Sequence, residues 1–203
     1  MGVKPDHWII RRAREEGMID PFEEDLVGAG AISFGASSYG YDFRIDRLFK
    51  VCRSEEALDP KRMGSDQFEN FEGDSCFLPS GTFLLAQSLE YFRIPRDILT
   101  LCAGKSTYAR CGVLVNVTPF EPEWEGHVTM SIANTGPSPV KIYAGEGIAQ
   151  LIFLEASDVC RVSYRDRKGK YQGQRGIVLS KVEQMPARGS RAGVPAAPDK
   201  QGS

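Results

Sequence analysis

The residues of this chain best suited to chemistry lie in Gly104-Lys-Ser-Thr-Tyr-Ala-Arg110. Lys105, Ser106, Thr107 and Arg110 bring two cations and two hydroxyls into six consecutive residues, a donor set matched to phosphate oxygens. A surface turn with solvated charges is the plainer alternative. Gly-Lys-Ser-Thr also invites a P-loop, but that motif needs another Gly five positions before Gly104, where Leu99 sits. It also needs a buried parallel strand before it and a helix after it, and the flanking pattern supplies no such unit. Zinc chemistry of the cytidine-deaminase type requires H-x-E followed by P-C-x-x-C. The only histidines are His7 and His127, neither begins H-x-E, and no C-x-x-C occurs. His127, beside Gly126 at a strand start, reads as structural.

The elements that must position these residues are mostly strands. One helix opens the chain: Asp6 is the expected N-cap, Trp8, Ile9 and Ala13 share a face, and Gly17 stops it. Tyr41-Asp-Phe-Arg-Ile-Asp46 alternates apolar and polar residues with period two, the pattern of a half-buried strand. Ser80-Gly81 precedes the apolar run to Ala86, Gly112–Val117 is β-branched, and His127–Ile132 alternates again before Asn134-Thr-Gly136. Val140–Tyr143 and Ile148–Leu154 flank Ala144-Gly-Glu-Gly147, which reads as a hairpin-like turn. Short strands broken by Gly, Pro and Asn predict a mainly β fold, a sandwich or barrel, rather than layered α/β.

Composition bounds the rest. The chain has 203 residues, 41% hydrophobic and 26% charged, enough for one domain with a buried core. A net charge of −2 gives no basic footprint for nucleic acid or an anionic membrane. The apolar runs are too short to span a bilayer. Five scattered cysteines without pairing pattern, and no secretory leader, place the chain as a soluble protein of the reducing cytoplasm. Residues 1–183 form the expected domain, and the Pro-, Gly- and Ala-rich stretch 184–203 an expected disordered tail.

Gly104–Gly112, running on into Val115-Asn-Val-Thr-Pro-Phe-Glu-Pro-Glu-Trp-Glu-Gly-His-Val128, resembles the signature of bacterial dCTP deaminases, within the dCTP deaminase/dUTPase superfamily. Ser38-Tyr-Gly-Tyr-Asp42, Lys141–Gln150 and Lys170-Tyr-Gln-Gly-Gln174 are similar to further segments of that family, in the same order. The resemblance implies a distorted jelly roll of the dUTPase-like type. It also implies a homotrimer with sites between subunits, and a pyrimidine nucleoside triphosphate bound with Mg²⁺. Carried over by position, it puts Lys105, Ser106 and Thr107 at the phosphates, with Tyr164, Lys170 and Gln174 closing over them from the C-terminal arm. It puts Glu121 at the sugar 3′-hydroxyl, with Trp124 beside it in the nucleotide-binding set. Ser106 and Arg110 match the pair that orients the attacking water and polarises the base.

One position departs from the family. Its deaminases carry a glutamate five residues beyond the Gly of Trp-x-Gly, as general base and proton shuttle. Counting from Gly126, this chain has Ser131 there. An unactivated hydroxyl cannot collect a proton near neutrality, and loss of a positioned base costs about 10²–10⁴ in rate. Three readings stay open at this stage. They are a deaminase substituted at its active site, a dUTPase-like diphosphohydrolase, and a nucleotide-binding homologue without turnover.

Overall fold

A computed structural model of the chain describes residues 2–182. The chain order is β1 (Gly2–Val3), α1 (Asp6–Glu16), β2 (Ile19–Asp20), β3 (Gly35–Ser37) and β4 (Gly40–Cys52). There follow β5 (Phe68–Glu72), β6 (Ser75–Leu78), β7 (Phe83–Arg93), β8 (Ile98–Gly104) and the short α2 (Ser106–Ala109). β9 (Val113–Asn116), β10 (Glu125–Asn134), β11 (Val140–Tyr143) and β12 (Gly147–Glu155) complete it. The fold is mainly β, as the strand pattern and the resemblance both imply.

The long strand β4 organises the molecule. Its first half pairs with β12 and β3, its second half with β7 and β5, so one strand belongs to both halves of a curled antiparallel sheet. The central path runs β1-β12-β4-β7-β10-β9, with β8 on β12 and a separate β6–β11 pair. Tyr41, Phe43, Ile45 and Phe49 of β4 are buried, together with Leu84 and Phe92 of β7, Met130 and Ile132 of β10, and Leu151 and Phe153 of β12. Burial of such side chains is worth about 1.5–3 kcal/mol each. The core between the curled halves therefore holds β4 and β10 as rigid rails.

Three local expectations change. Helix α1 starts from Pro5, not Asp6: Pro5 is extended, its carbonyl accepts from Trp8 and Ile9, and Asp6 is already helical. Gly17 does end the helix, in the left-handed conformation at φ 64°. The alternation of Tyr41–Asp46 does not mark a wet face at Asp42, which is buried where the Lys105 ammonium, brought in from the end of β8, is held against it. Nor do β11 and β12 form a hairpin. β11 pairs with β6 while β12 pairs with β4, β8 and β1. The turn between them is pinned elsewhere, by Gly145 N–H to Ile45 O and Gly147 N–H to Ile32 O. A Cβ on Gly147 would lie 1.9 Å from Ser33 O, so this crossing admits only glycine. The tail expected at 184–203 lies outside the described residues.

Candidate active site

Gly104–Arg110 leaves the end of β8 and makes one turn of helix. β8 is antiparallel to β12 and alternately exposed, so the element before Gly104 is not the buried parallel strand of a P-loop. The turn is anchored by Tyr108, buried in the core, whose hydroxyl accepts from Tyr143 N–H at 3.0 Å. Burial pushes that phenol up to about 12. Ser106, Thr107 and Arg110 are exposed, and Arg110 Nη1 donates to Ser106 O at 3.0 Å, holding the guanidinium over the turn. Lys105 behaves differently. Its ammonium turns inward and donates to Asp42 Oδ2 at 2.5 Å and to Ser33 Oγ at 2.8 Å.

A second group gathers where residues 160–178 pack against the loop before β10. Trp124 is buried, lies 5.1 Å from the Phe120 ring centroid, and donates from Nε1 to Tyr171 O at 3.0 Å. Tyr164 N–H donates to Pro122 O, and the Tyr164 hydroxyl accepts from Tyr171 N–H at 3.1 Å; burial raises its pKa. Gln174 docks on β10 through backbone and side chain. His127 N–H donates to Gln174 O at 2.9 Å, and Gln174 Nε2 donates to His127 O at 3.0 Å and to Thr129 Oγ1. Lys170 lies over the Tyr171 ring, 5.1 Å from its centroid. Glu121, Trp124, Tyr164, Lys170 and Gln174 are thus carried by one packed unit. Among the described residues, no hydrogen bond or ion pair joins that unit to Lys105, Ser106, Thr107 or Arg110.

The three glutamates near Trp124 are all engaged by arginine. Glu121 pairs with Arg167, Glu123 with Arg96 at 2.6 Å, and Glu125 approaches Arg165 at 3.7 Å. Hydrogen bonding from Ser163, then Arg96, holds the Glu123 carboxyl below its ordinary range. Glu125 lies six residues before Ser131 on β10, about 20 Å along an extended strand, so it does not stand in for a base at that position.

Ser131 sits opposite Leu85 of β7 and Asn116 of β9, half-buried. Neighbouring side chains on a strand point to opposite faces, so Ser131 shares a face with Asn116 and not with Val115. The Gly104 turn meets β9 on the other face, where a Cβ at Gly104 would touch Val115 at 3.3 Å. Within one chain, then, Ser131 lies on the face of β9 opposite Gly104, the residue that opens the Ser106–Arg110 turn. Asp42 was missed as a site residue by sequence reasoning, although it ends the Ser38–Asp42 motif, because alternation alone assigned it to solvent.

Among the described residues, no three His, Cys, Asp or Glu side chains gather as a metal cage, and no helix is long and apolar enough to cross a membrane. All five cysteines are free.

Comparison with known proteins agrees with this architecture. The dCTP deaminase of Nitratiruptor sp. is 55% identical over 184 residues, covering 90% of this chain and the whole of that protein. The dCTP deaminase of Methylococcus capsulatus is 56% identical over 188 residues with the same coverage. The crystal structure of 2′-deoxycytidine 5′-triphosphate deaminase from Agrobacterium tumefaciens superposes with a TM-score of 0.58 at 14% identity. It covers 75% of this chain and 47% of that one, a likeness of fold. The profile described as dCTP deaminase-like matches residues 3–156. By that match and by these relatives, the chain belongs to the dCTP deaminase-like family.

Proposed function

We propose that this protein binds a pyrimidine nucleoside triphosphate as its Mg²⁺ complex and hydrolyses the amino group from the cytosine ring, converting dCTP and water to dUTP and ammonia. The observation that carries this reading is the identity of about 55% to proteins named dCTP deaminase, along their whole length. The donor set of Lys105, Ser106 and Thr107 suits the phosphates, and Glu121 and Trp124 suit the sugar and its surroundings. Among the described residues no cage of protein ligands gathers, and a hard cation would take its oxygen ligands from the triphosphate and water. Bound there, Mg²⁺ would neutralise phosphate charge.

The base chemistry falls to the chain's own residues. Water adds to C4 as one of its protons passes to N3; the other passes to the amino nitrogen as C4=O forms and the C4–N bond breaks, releasing ammonia. Ser106 orients the water, and the Arg110 guanidinium, already tethered to Ser106 O, polarises the base. The Tyr164–Gln174 arm, packed on Trp124 and β10, covers the nucleotide.

Opposed faces of β9 make assembly part of this proposal. The Ser106–Arg110 turn springs from the face of β9 opposite Ser131, so on this reading a second copy supplies the missing side of the site. Exposed Leu99, Leu101 and Leu114 on β8 and β9 offer an apolar surface for such a contact. The expected assembly is a homotrimer in the cytoplasm. Light scattering should give three chain masses, and a monomer that binds nucleotide tightly would refute the composite site.

Ser131 favours a second reading. Without a base at that position, the scaffold could release pyrophosphate in the manner of a dUTPase, with Glu121 activating water, or bind nucleotide without turnover. Incubation with dCTP, CTP, dUTP and UTP plus Mg²⁺ decides, with ammonia and pyrophosphate assayed separately. Ammonia from dCTP supports deamination. Pyrophosphate alone supports the diphosphohydrolase, and binding without either product supports a regulator.

A further inference from the structure

Lys105 is the charged member of its turn that faces inward, whereas Arg110 is exposed. Its ammonium has three N–H donors. Two are taken, by Asp42 Oδ2 at 2.5 Å and Ser33 Oγ at 2.8 Å, and among the described residues no other hydrogen-bond partner accepts from it. Asp42 is 4% exposed, and its second oxygen, Oδ1, is buried without a hydrogen-bond partner. The carboxylate therefore has Lys105 as its hydrogen-bond donor, and the pair is coupled tightly. The two residues also differ in setting. Asp42 lies on β4, paired to Gln150 of β12 and Gly35 of β3, while Lys105 follows the last residue of β8 at the head of an exposed turn.

We infer that Asp42 is a positioning residue that seats the Lys105 ammonium on the rigid sheet, with Ser33 as second support, leaving one N–H for a ligand phosphate. The inference rests on the reading that Lys105 takes a phosphate. A free lysine samples many rotamers and loses them on binding, whereas a seated one has lost them already. The carboxylate also offsets the ammonium's charge, so the seat acts through geometry rather than through added positive potential. It follows that Asp42 should matter for phosphate-bearing ligands and only through Lys105.

The test is a double-mutant cycle of Asp42→Asn, Lys105→Met and both together, in the full chain with Mg²⁺. Titration calorimetry would use dCTP, dCMP and deoxycytidine. Asp42→Asn should weaken dCTP binding about three- to tenfold, with little change for deoxycytidine. On the Lys105→Met background the same substitution should change nothing. Unchanged or tighter dCTP binding by Asp42→Asn would overturn the inference, as would a loss equal across the three ligands or independent of Lys105. If Lys105→Met leaves dCTP affinity intact, the phosphate reading itself fails and this inference with it. If Lys105→Met is strongly impaired while Asp42→Asn is not, the seat alone fails. Should Asp42→Asn not fold, Ser33→Ala keeps the ion pair and removes the second support. It should weaken dCTP binding by about threefold on the parent and not on Lys105→Met, and no effect on the parent would overturn the inference.

Discussion

Ser131→Glu separates the open chemistries most sharply. The site can accept the change. Ser131 is half-buried, and its cross-strand neighbours are Leu85 and the exposed Asn116. The cation nearest by register is Lys50, paired to Leu85 one strand further on, so about 10 Å separates it from Ser131 across two strand spacings. Lys50 is held by Asn70 Oδ1 at 2.7 Å on the β5 side, so an ion pair to the new carboxylate would have to displace that hydrogen bond. A polar substitution at such a position should cost about 0.5–1 kcal/mol of stability.

Against that stands the barrier. A positioned general base is worth about 10²–10⁴ in rate, or about 3–5 kcal/mol. The functional gain should exceed the folding cost several-fold. If this scaffold is a deaminase lacking its base, ammonia release from dCTP should rise from near background in the parent to an easily measured rate in Ser131→Glu. The coupled ammonia assay would be run beside calorimetric dCTP binding and a thermal melt. A folded, dCTP-binding variant with no gain in ammonia refutes the missing-base argument. Ammonia from the unmodified protein at an ordinary enzymatic rate of about 1 s⁻¹ or more refutes the weight placed on Ser131.

Two predictions concern the scaffold. Glu90 is fully buried, accepts from Arg44 Nε at 2.7 Å and Arg44 N–H at 2.9 Å, and burial raises its pKa above 4.5 despite that partner. The folded state then holds the proton longer than the unfolded one, so this group's contribution is full below 4.5 and is lost as pH rises through the folded value. The melting temperature of wild type relative to Glu90→Gln should accordingly fall from pH 4.5 upward in matched scans, and a flat difference would refute it. Gly169→Ala would put a Cβ 2.1 Å from the Tyr164 ring and lever it away from Tyr171. Overpacking of about 1–3 kcal/mol should appear as faster proteolysis at Arg165 and Lys168, with little change in the global melt, and unchanged cleavage would refute it.

How far the sequence speaks can be judged from β4 and β10. Period-two alternation located both strands, and the Gly104–Arg110 donor set pointed to the turn that the structure exposes. The same alternation misplaced Asp42, because a two-residue period reports that side chains alternate but not how many layers cover each face. The Lys105 ammonium, brought in from the end of β8, lies against Asp42, a non-local fact that no window of β4 contains. The hairpin expected at Ala144–Gly147 failed for a related reason. Local turn chemistry is satisfied equally by strands that pair and by strands that part, and the deciding contacts come from Ile32 and Ile45, about a hundred residues away.

Ser131 shows the same limit in the candidate site. Counting from Gly126 identified the substituted position, and no window of sequence reveals that it lies on the face of β9 opposite Gly104. That relation is set by β9, which turns Val115 toward Gly104 and Asn116 to the face that carries Ser131. A motif can name the residues of a site without saying which faces of the sheet carry them. The register of one four-residue strand supplies that argument, and it makes oligomeric mass and ammonia release two tests of one geometry. If the chain deaminates as a monomer, the faces of β9 have been misjudged. If it trimerises without releasing ammonia, the geometry stands and the serine is what silences it.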